Sequence, residues 1–236
     1  MKNTLILISA ISLIIYLVSC SDNSVIITGG KTETLSGQIQ NWNLGSHKKM
    51  ISIATLEDTS YLSLVMDSCM IDSQGKFTIN IETPLDSALK LFTLYDTMCT
   101  HHTVINPTDL YFCYIDLAVE DSTYTFLGYL YRSNDSSQNY YSGKIYCDLY
   151  YFDNGGSITG TDTCNYSGII YIESSNVTLV RGWNSIFRVY DSVSNNFTKL
   201  RAVTQPQNVQ WYFHGFTEKT ERSGKFYKRN PYLKGR

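Results

Sequence analysis

This chain of 236 residues is poor in charge, with 17% Asp, Glu, Lys and Arg, and it holds only four prolines and four histidines. Ala and Glu are scarce, which removes the usual filling of solvent-exposed helices. Scarce proline and the lack of a long charge run exclude a broadly disordered chain. Three catalytic signatures are missing: a Gly-x-Ser-x-Gly elbow, a His-Glu-x-x-His pair and a dinucleotide glycine fingerprint. Thr28-Gly29-Gly30-Lys31-Thr32 ends like a phosphate loop, but Val25 stands where the first glycine is needed and no helix follows.

Nineteen tyrosines are present, together with frequent Thr, Ile and Val. These residues fit a pleated, half-buried surface and favour strands. Lys76 to Glu82 is the clearest strand, with Phe77, Ile79 and Ile81 on one face and Lys76, Thr78, Asn80 and Glu82 on the other. Asp72-Ser73-Gln74-Gly75 before it reads as a turn. Alternation recurs over 144–151 and 209–213. Further strands are expected at 37–42, 50–56, 110–119, 124–132, 168–173, 177–181, 186–190 and 199–203. Glu120-Asp121-Ser122 reads as a turn between two of them, and Gly182-Trp183-Asn184 as a turn with the indole packed below. The only helix expected after the N-terminal segment is a short one at 85–91, behind Pro84. With no βαβ rhythm, the expected fold is all-β, an antiparallel sandwich with a barrel as the alternative.

The N-terminus carries an address. Lys2 precedes an apolar stretch from Leu5 to Leu17 of about thirteen residues, the length of a signal-peptide core and short of a membrane span. Leu17-Val18-Ser19-Cys20 closes it and resembles the bacterial lipobox, which implies cleavage before Cys20 and acylation of its thiol and new amino group. Two or three acyl chains anchor stably, at about 0.8 kcal/mol for each buried methylene. Ser21, where Asp would retain the protein in the inner membrane, directs the expectation to the outer membrane. The organisation expected is a signal-peptide helix over 1–19 and a lipidated tether over 20–34. A β-rich ectodomain then spans 35–215, divisible into lobes at about 35–95 and 108–215, ahead of a basic tail over 216–236. That tail holds Lys219, Arg222, Lys225, Lys228, Arg229, Lys234 and Arg236 against Glu218 and Glu221. The main reading of it is a solvated terminus, with anionic lipid or cell-wall polymer as the alternative contact.

Five further cysteines remain, and export permits disulfides. If Gly155-Gly156 forms a two-residue hairpin turn, Cys147 and Cys164 face each other across it, within bonding reach. Cys99–Cys113 is a second pairing. Cys99-Thr100-His101-His102 with Cys113 offers soft metal ligands, but adjacent histidines on extended backbone point apart. The segment therefore reads as a polar loop, and no metal or cofactor is expected.

Tyr129, Tyr131, Tyr140, Tyr141, Tyr146 and Tyr150 crowd one region. Filling of the core is the plain reading. The alternative is a binding surface built on Tyr129, Tyr131, Tyr146 and Tyr150, since exposed aromatics on a sheet stack on sugars or grip a protein. Gly37-Gln38-Ile39-Gln40-Asn41-Trp42, the Asp72–Gly75 turn with its strand, Tyr150-Tyr151-Phe152-Asp153, Leu179–Asn184 and Trp211-Tyr212-Phe213 together resemble a recurrent family of exported bacterial lipoproteins. The opening segment also resembles carboxypeptidase-regulatory-like sandwiches. These resemblances imply export and a β-fold and bring no activity. The expected function is a non-enzymatic binding or structural module of the cell envelope. It is attached to the membrane by its lipid and faces an envelope macromolecule or glycan, not nucleic acid. The alternatives are an exported hydrolase with dispersed catalytic residues and a lipocalin-like carrier of a small apolar ligand.

Overall fold

A computed structural model describes residues 32–55, 63–94 and 96–215. The segment expected to be a signal peptide, Cys20, nearly all of the expected tether and the basic tail expected over 216–236 lie outside the described residues.

The fold is all-β and sandwich-like. Its first strands are β1 (Glu33–Gln38), β2 (Lys48–Thr55), β3 (Ser63–Ile71) and β4 (Lys76–Ile81). Three short pieces follow, β5 (Lys90–Leu91), β6 (Cys99–Thr100) and β7 (Val104–Asn106). The long strands are β8 (Tyr111–Glu120), β9 (Phe126–Ser133), β10 (Ile145–Phe152), β11 (Gly156–Tyr166), β12 (Ile169–Leu179) and β13 (Gly182–Val193), closed by β14 (Phe197–Val203) and β15 (Gln210–Gly215). The helix expected at 85–91 reduces to one 3-10 turn, Asp86–Ala88, and the chain is extended again from Leu89.

Strands β1 and β4 form a two-stranded sheet. The other thirteen join one sheet whose path runs β3-β2-β8-β9-β10-β13-β14-β12-β11-β6, open at both ends and not a closed barrel. The pairings are antiparallel except β12 with β14. Two of the foreseen turns are in place. Asp72 Oδ1 accepts from the amides of Gln74 and Lys76, with Gly75 at φ +80°. Asp121 Oδ1 likewise accepts from the amides of Thr123 and Thr125. Gly182-Trp183-Asn184, however, is not a turn. It begins β13, paired with Phe152, Tyr151 and Tyr150, and the Asn184 side chain ties back the reversal just before it by bonding Val180 and the Gly182 carbonyl.

Two apolar cores lie on opposite faces of the large sheet. Leu149 and Tyr151 of β10 enter the first, while Tyr150 and Phe152 enter the second. On β8, Cys113, Ile115, Leu117 and Val119 enter the first and Phe112 the second. Period-two alternation with apolar residues in both phases produces this double burial. The first core is roofed by Leu35, Phe77, Ile79 and Ile81 of the small sheet. Trp211 of β15 joins the layers there, edge-on to Phe77 at 5.2 Å and lying where a side chain on Gly37 would stand. The second core is covered by the sheet's own far end, through Ile158 of β11 and Val177 and Leu179 of β12.

The hairpin expected at Asn154-Gly155-Gly156 does not form. β10 pairs with β13, β8 and β9, whereas β11 pairs with β12 along its whole length. The cysteine register built on that hairpin fails with it. Cys164 is bonded to Cys99, its partner across the β6–β11 pair, and Cys147 lies opposite Phe187 and Arg132 as a buried free thiol. Cys113, the other partner considered for Cys99, is also buried and free.

Candidate functional site

The tyrosine region is built by three neighbouring strands. On β9, Leu130 points into the first core, so Tyr129, Tyr131 and Ser133 take the other face. Strand β15 sets Tyr212 opposite Tyr131, and β10 sets Tyr146 opposite Ser133. The rings of Tyr131 and Tyr212 are 5.9 Å apart, and those of Tyr131 and Tyr146 6.1 Å. Tyr190 of β13 extends the row at 6.2 Å from Tyr146. Tyr140, from the loop between β9 and β10, sits over both, 4.9 Å from Tyr190 and 5.7 Å from Tyr146. All five spacings fall in the range where ring pairs attract. Tyr129, two residues up β9, packs edge-on against Phe126 at 4.9 Å.

One buried cation shapes the loop that completes this stripe. Lys144 has no solvent exposure. Its Nζ donates to the backbone oxygens of Asp135 (3.1 Å) and Ser137 (2.7 Å) and to Asp135 Oδ1. Three acceptors match the three protons of an ammonium, which satisfies the charge that burial would otherwise penalise. The same nitrogen lies 4.8 Å from the Tyr146 ring centre and 5.8 Å from that of Tyr141, within cation–π range. The Tyr141 hydroxyl donates to Asp135 Oδ2, and Tyr131 Oη donates to the Ser136 carbonyl at 2.9 Å. Burial pushes the Asp135 carboxyl up, but hydrogen bonds from Lys144, Tyr141 and the Ser137 amide outweigh it and hold it below the ordinary value. The folded loop leaves Tyr140 and Tyr141 exposed, at 43% and 37%.

Three of the four tyrosines expected at a surface, Tyr129, Tyr131 and Tyr146, are half-buried members of this face. Tyr150 is not a surface residue. It lies on the same face of β10, but four residues past Tyr146 that face enters the second core. Its ring meets Phe112, Tyr114 and Phe152, and it is 5% exposed. The Tyr150 hydroxyl accepts from Arg188 Nη2 at 2.8 Å, while Arg188 Nη1 pairs with Asp148 Oδ2 at 2.6 Å. Burial raises the Tyr150 phenol, so it serves as a neutral partner to the guanidinium. Clustering in sequence identified the region, and Tyr140 and Tyr141 belong to it. Tyr190 and Tyr212 were missed because they reach it through pairings from distant strands.

The histidines are dispersed. His47 is exposed in the approach to β2, His214 pairs across from Tyr129, and His101 and His102 lie between β6 and β7. His101 Nδ1 contacts Asp162 Oδ2 at 3.0 Å, and its Nε2 lies 3.2 Å from the Asp96 carbonyl. Asp162, 1% exposed, also accepts the amides of His102 and Thr103 at 2.8 and 2.9 Å. Nδ1 of His101 thus ties the 96–103 segment to the edge of β11, beside the Cys99–Cys164 bond, while Nε2 makes a contact within that segment. Among the described residues no cluster of three or more His, Cys, Asp or Glu is arranged to hold a metal, and no helix is long and apolar enough to cross a membrane. The free thiols of Cys113 and Cys147 are each pushed up by burial to about 12, far from the reactive range of a nucleophilic cysteine. The chain matches no protein-family model, no curated protein and no solved structure.

Proposed function

We propose that this chain is an exported bacterial lipoprotein, held in the outer membrane through acylated Cys20, whose β-domain is a non-enzymatic binding module for an envelope macromolecule. The observation that carries the reading is the tyrosine stripe ending in exposed Tyr140 and Tyr141. Rings that offer both a flat apolar face and a hydroxyl suit stacking on sugar rings with hydrogen bonding at their rim, so a glycan is the ligand class the stripe fits best. The Cys99–Cys164 disulfide supports export, since such bonds persist in oxidising compartments. The engagement of both His101 ring nitrogens, one at β11 and one within the 96–103 segment, supports a structural role for that histidine.

The test is binding of the full chain to isolated envelope polysaccharide, comparing wild type with the double variant Tyr140→Ala/Tyr141→Ala. Removing two stacking rings should weaken binding at least tenfold, about 1.4 kcal/mol or more, in a chain that loses some stability with the ring contacts but still unfolds cooperatively well above the assay temperature. Equal binding by both proteins would defeat the assignment of the stripe.

A further inference from the structure

Beyond β13, the face of the large sheet that holds the first core continues across β14, β12 and β11 without adding a residue to that core. It is made of alternate residues, because Ile158, Val177, Leu179 and Ala202 take the opposite face into the second core. Followed across the strands by register, these residues form rows of changing character. At the tip where β11 turns into β12, Asn165, Ile170 and Phe197 stand side by side. Met98 adjoins them, its carbonyl accepting the Asn165 amide at 2.9 Å. The next row holds Thr163, Ile172 and Lys199, and the one after it Thr161, Ser174 and Arg201. Met98, Ile169 and Ile170 are exposed at 60%, 45% and 42%, so apolar side chains crowd the tip. Half-buried Tyr166, the strand partner of Ile169, packs there against Tyr171 with ring centres 6.5 Å apart. The cations stand behind the apolar row. Lys199 is exposed, and Arg201 is held by Asp191 of β13 at 3.0 Å. Asp162 and Glu173, the carboxylates of β11 and β12, are buried on the opposite face.

We propose that this tip dips into the bilayer that holds the lipid anchor, with Lys199 and Arg201 at the depth of its anionic headgroups. An exposed, contiguous apolar patch marks an interaction site. The graded order favours a bilayer over a protein partner: apolar groups lead, phenols lie beside them, and cations follow one and two rows behind, which matches the layers of an anionic membrane. A bilayer is also the apolar partner at hand. This rests on the anchor proposed above, for Cys20 and Glu33 are thirteen residues apart, a chain reach of at most about 45 Å.

Photolabelling tests the contact. The full chain is reconstituted in vesicles of phosphatidylethanolamine and phosphatidylglycerol doped with a phospholipid that carries a diazirine on its acyl chain, then irradiated, digested and read by mass spectrometry. Lipid adducts should concentrate on Met98 and on residues 169–172, and be at least about tenfold rarer at Val180, which is 62% exposed at the far end of β12. Ile169→Ser/Ile170→Ser should cut the tip adducts at least about tenfold, the scale of losing two inserted isoleucines, in a chain that still melts cooperatively. Lys199→Glu should lower them several-fold in these vesicles and less in phosphatidylcholine alone; an equal loss in both overturns the headgroup contact. The comparison of Met98 with Val180 needs no variant and decides alone if one fails to fold. Tip adducts no more frequent than those at Val180, or unchanged in folded Ile169→Ser/Ile170→Ser, overturn the proposal. Intact mass separates it from the anchor: an acylated chain without tip adducts refutes the tip and leaves the anchor, whereas tip adducts on a chain with no acyl mass refute the anchor and leave the tip.

Discussion

Replacing Lys144 by methionine removes the charge that organises the tyrosine loop while keeping most of the side chain's apolar volume. The magnitude follows from its partners. Two backbone carbonyls lose their donor, and hydrogen bonds to a charged group contribute about 1.5–3 kcal/mol. Breaking a fully buried pair costs about 3–5 kcal/mol because the remaining charge is stranded. Here the remaining carboxylate, Asp135, is 40% exposed and rehydrates, so the upper range does not apply. The cation–π contacts with Tyr146 and Tyr141 add about 0.5–1 kcal/mol. The expected loss is roughly 2–4 kcal/mol, which for a domain of this size lowers the melting temperature by about 4–16 °C. Urea and thermal unfolding of wild type and Lys144→Met measure it. Because the same cation holds the loop that presents Tyr140 and Tyr141, hydrogen exchange across 134–144 should accelerate in the variant. A destabilisation below about 1 kcal/mol with unchanged exchange in that loop would refute the reasoning.

Three further outcomes are expected. Cys99→Ala, or reduction of the bond in wild type, should destabilise the fold by about 2–4 kcal/mol in urea unfolding, since the bond closes a sequence separation of 65 residues. Native chain treated with iodoacetamide at pH 8 should leave Cys113 and Cys147 unmodified until it unfolds, because burial raises both thiols to about 12; rapid labelling of either would contradict their burial. Burial pushes the Asp162 carboxyl up, yet the hydrogen bonds it accepts from His101, His102 and Thr103 depress it below its ordinary value. Its contribution to stability is therefore complete above about pH 4 and lost as the pH falls through the lower folded value. Asp162→Asn should flatten that acid limb of the stability profile and speed amide exchange at residues 102–103.

Local alternation made much of the fold legible. Strand β4 follows from Phe77, Ile79 and Ile81, and Asp72 and Gly75 mark the turn before it, because these signals lie within a few residues of one another. Strands β3 and β11 were not legible. In β11 the buried face carries Gly160, Asp162 and Cys164, and the rest is Thr, Ser and Asn, so its apolar period is broken. In β3 the pairing shifts register opposite Ser52 and Ile53, which breaks the alternation of its partners. The failed hairpin at Asn154-Gly155-Gly156 has the same root. Turn residues announce a reversal but not which strand will be met after it, and β10 finds β13 some thirty residues on. The disulfide depended on that choice, as did the depth of Tyr150. What sequence spacing could assemble of the site was the clustered set Tyr129–Tyr146. The clamp at Lys144 needed the three-dimensional pairing.

The central claim, that this β-domain works at the end of a lipid anchor, is tested most directly by intact mass and membrane fractionation of the full chain and of Cys20→Ala, both expressed in a bacterium. The account predicts a wild-type chain that begins at Cys20, carries a diacyl or triacyl mass and sediments with membranes, and a Cys20→Ala chain without that mass that is released. A wild-type chain with no acyl mass, or a Cys20→Ala chain that stays with the membrane unchanged, would contradict it.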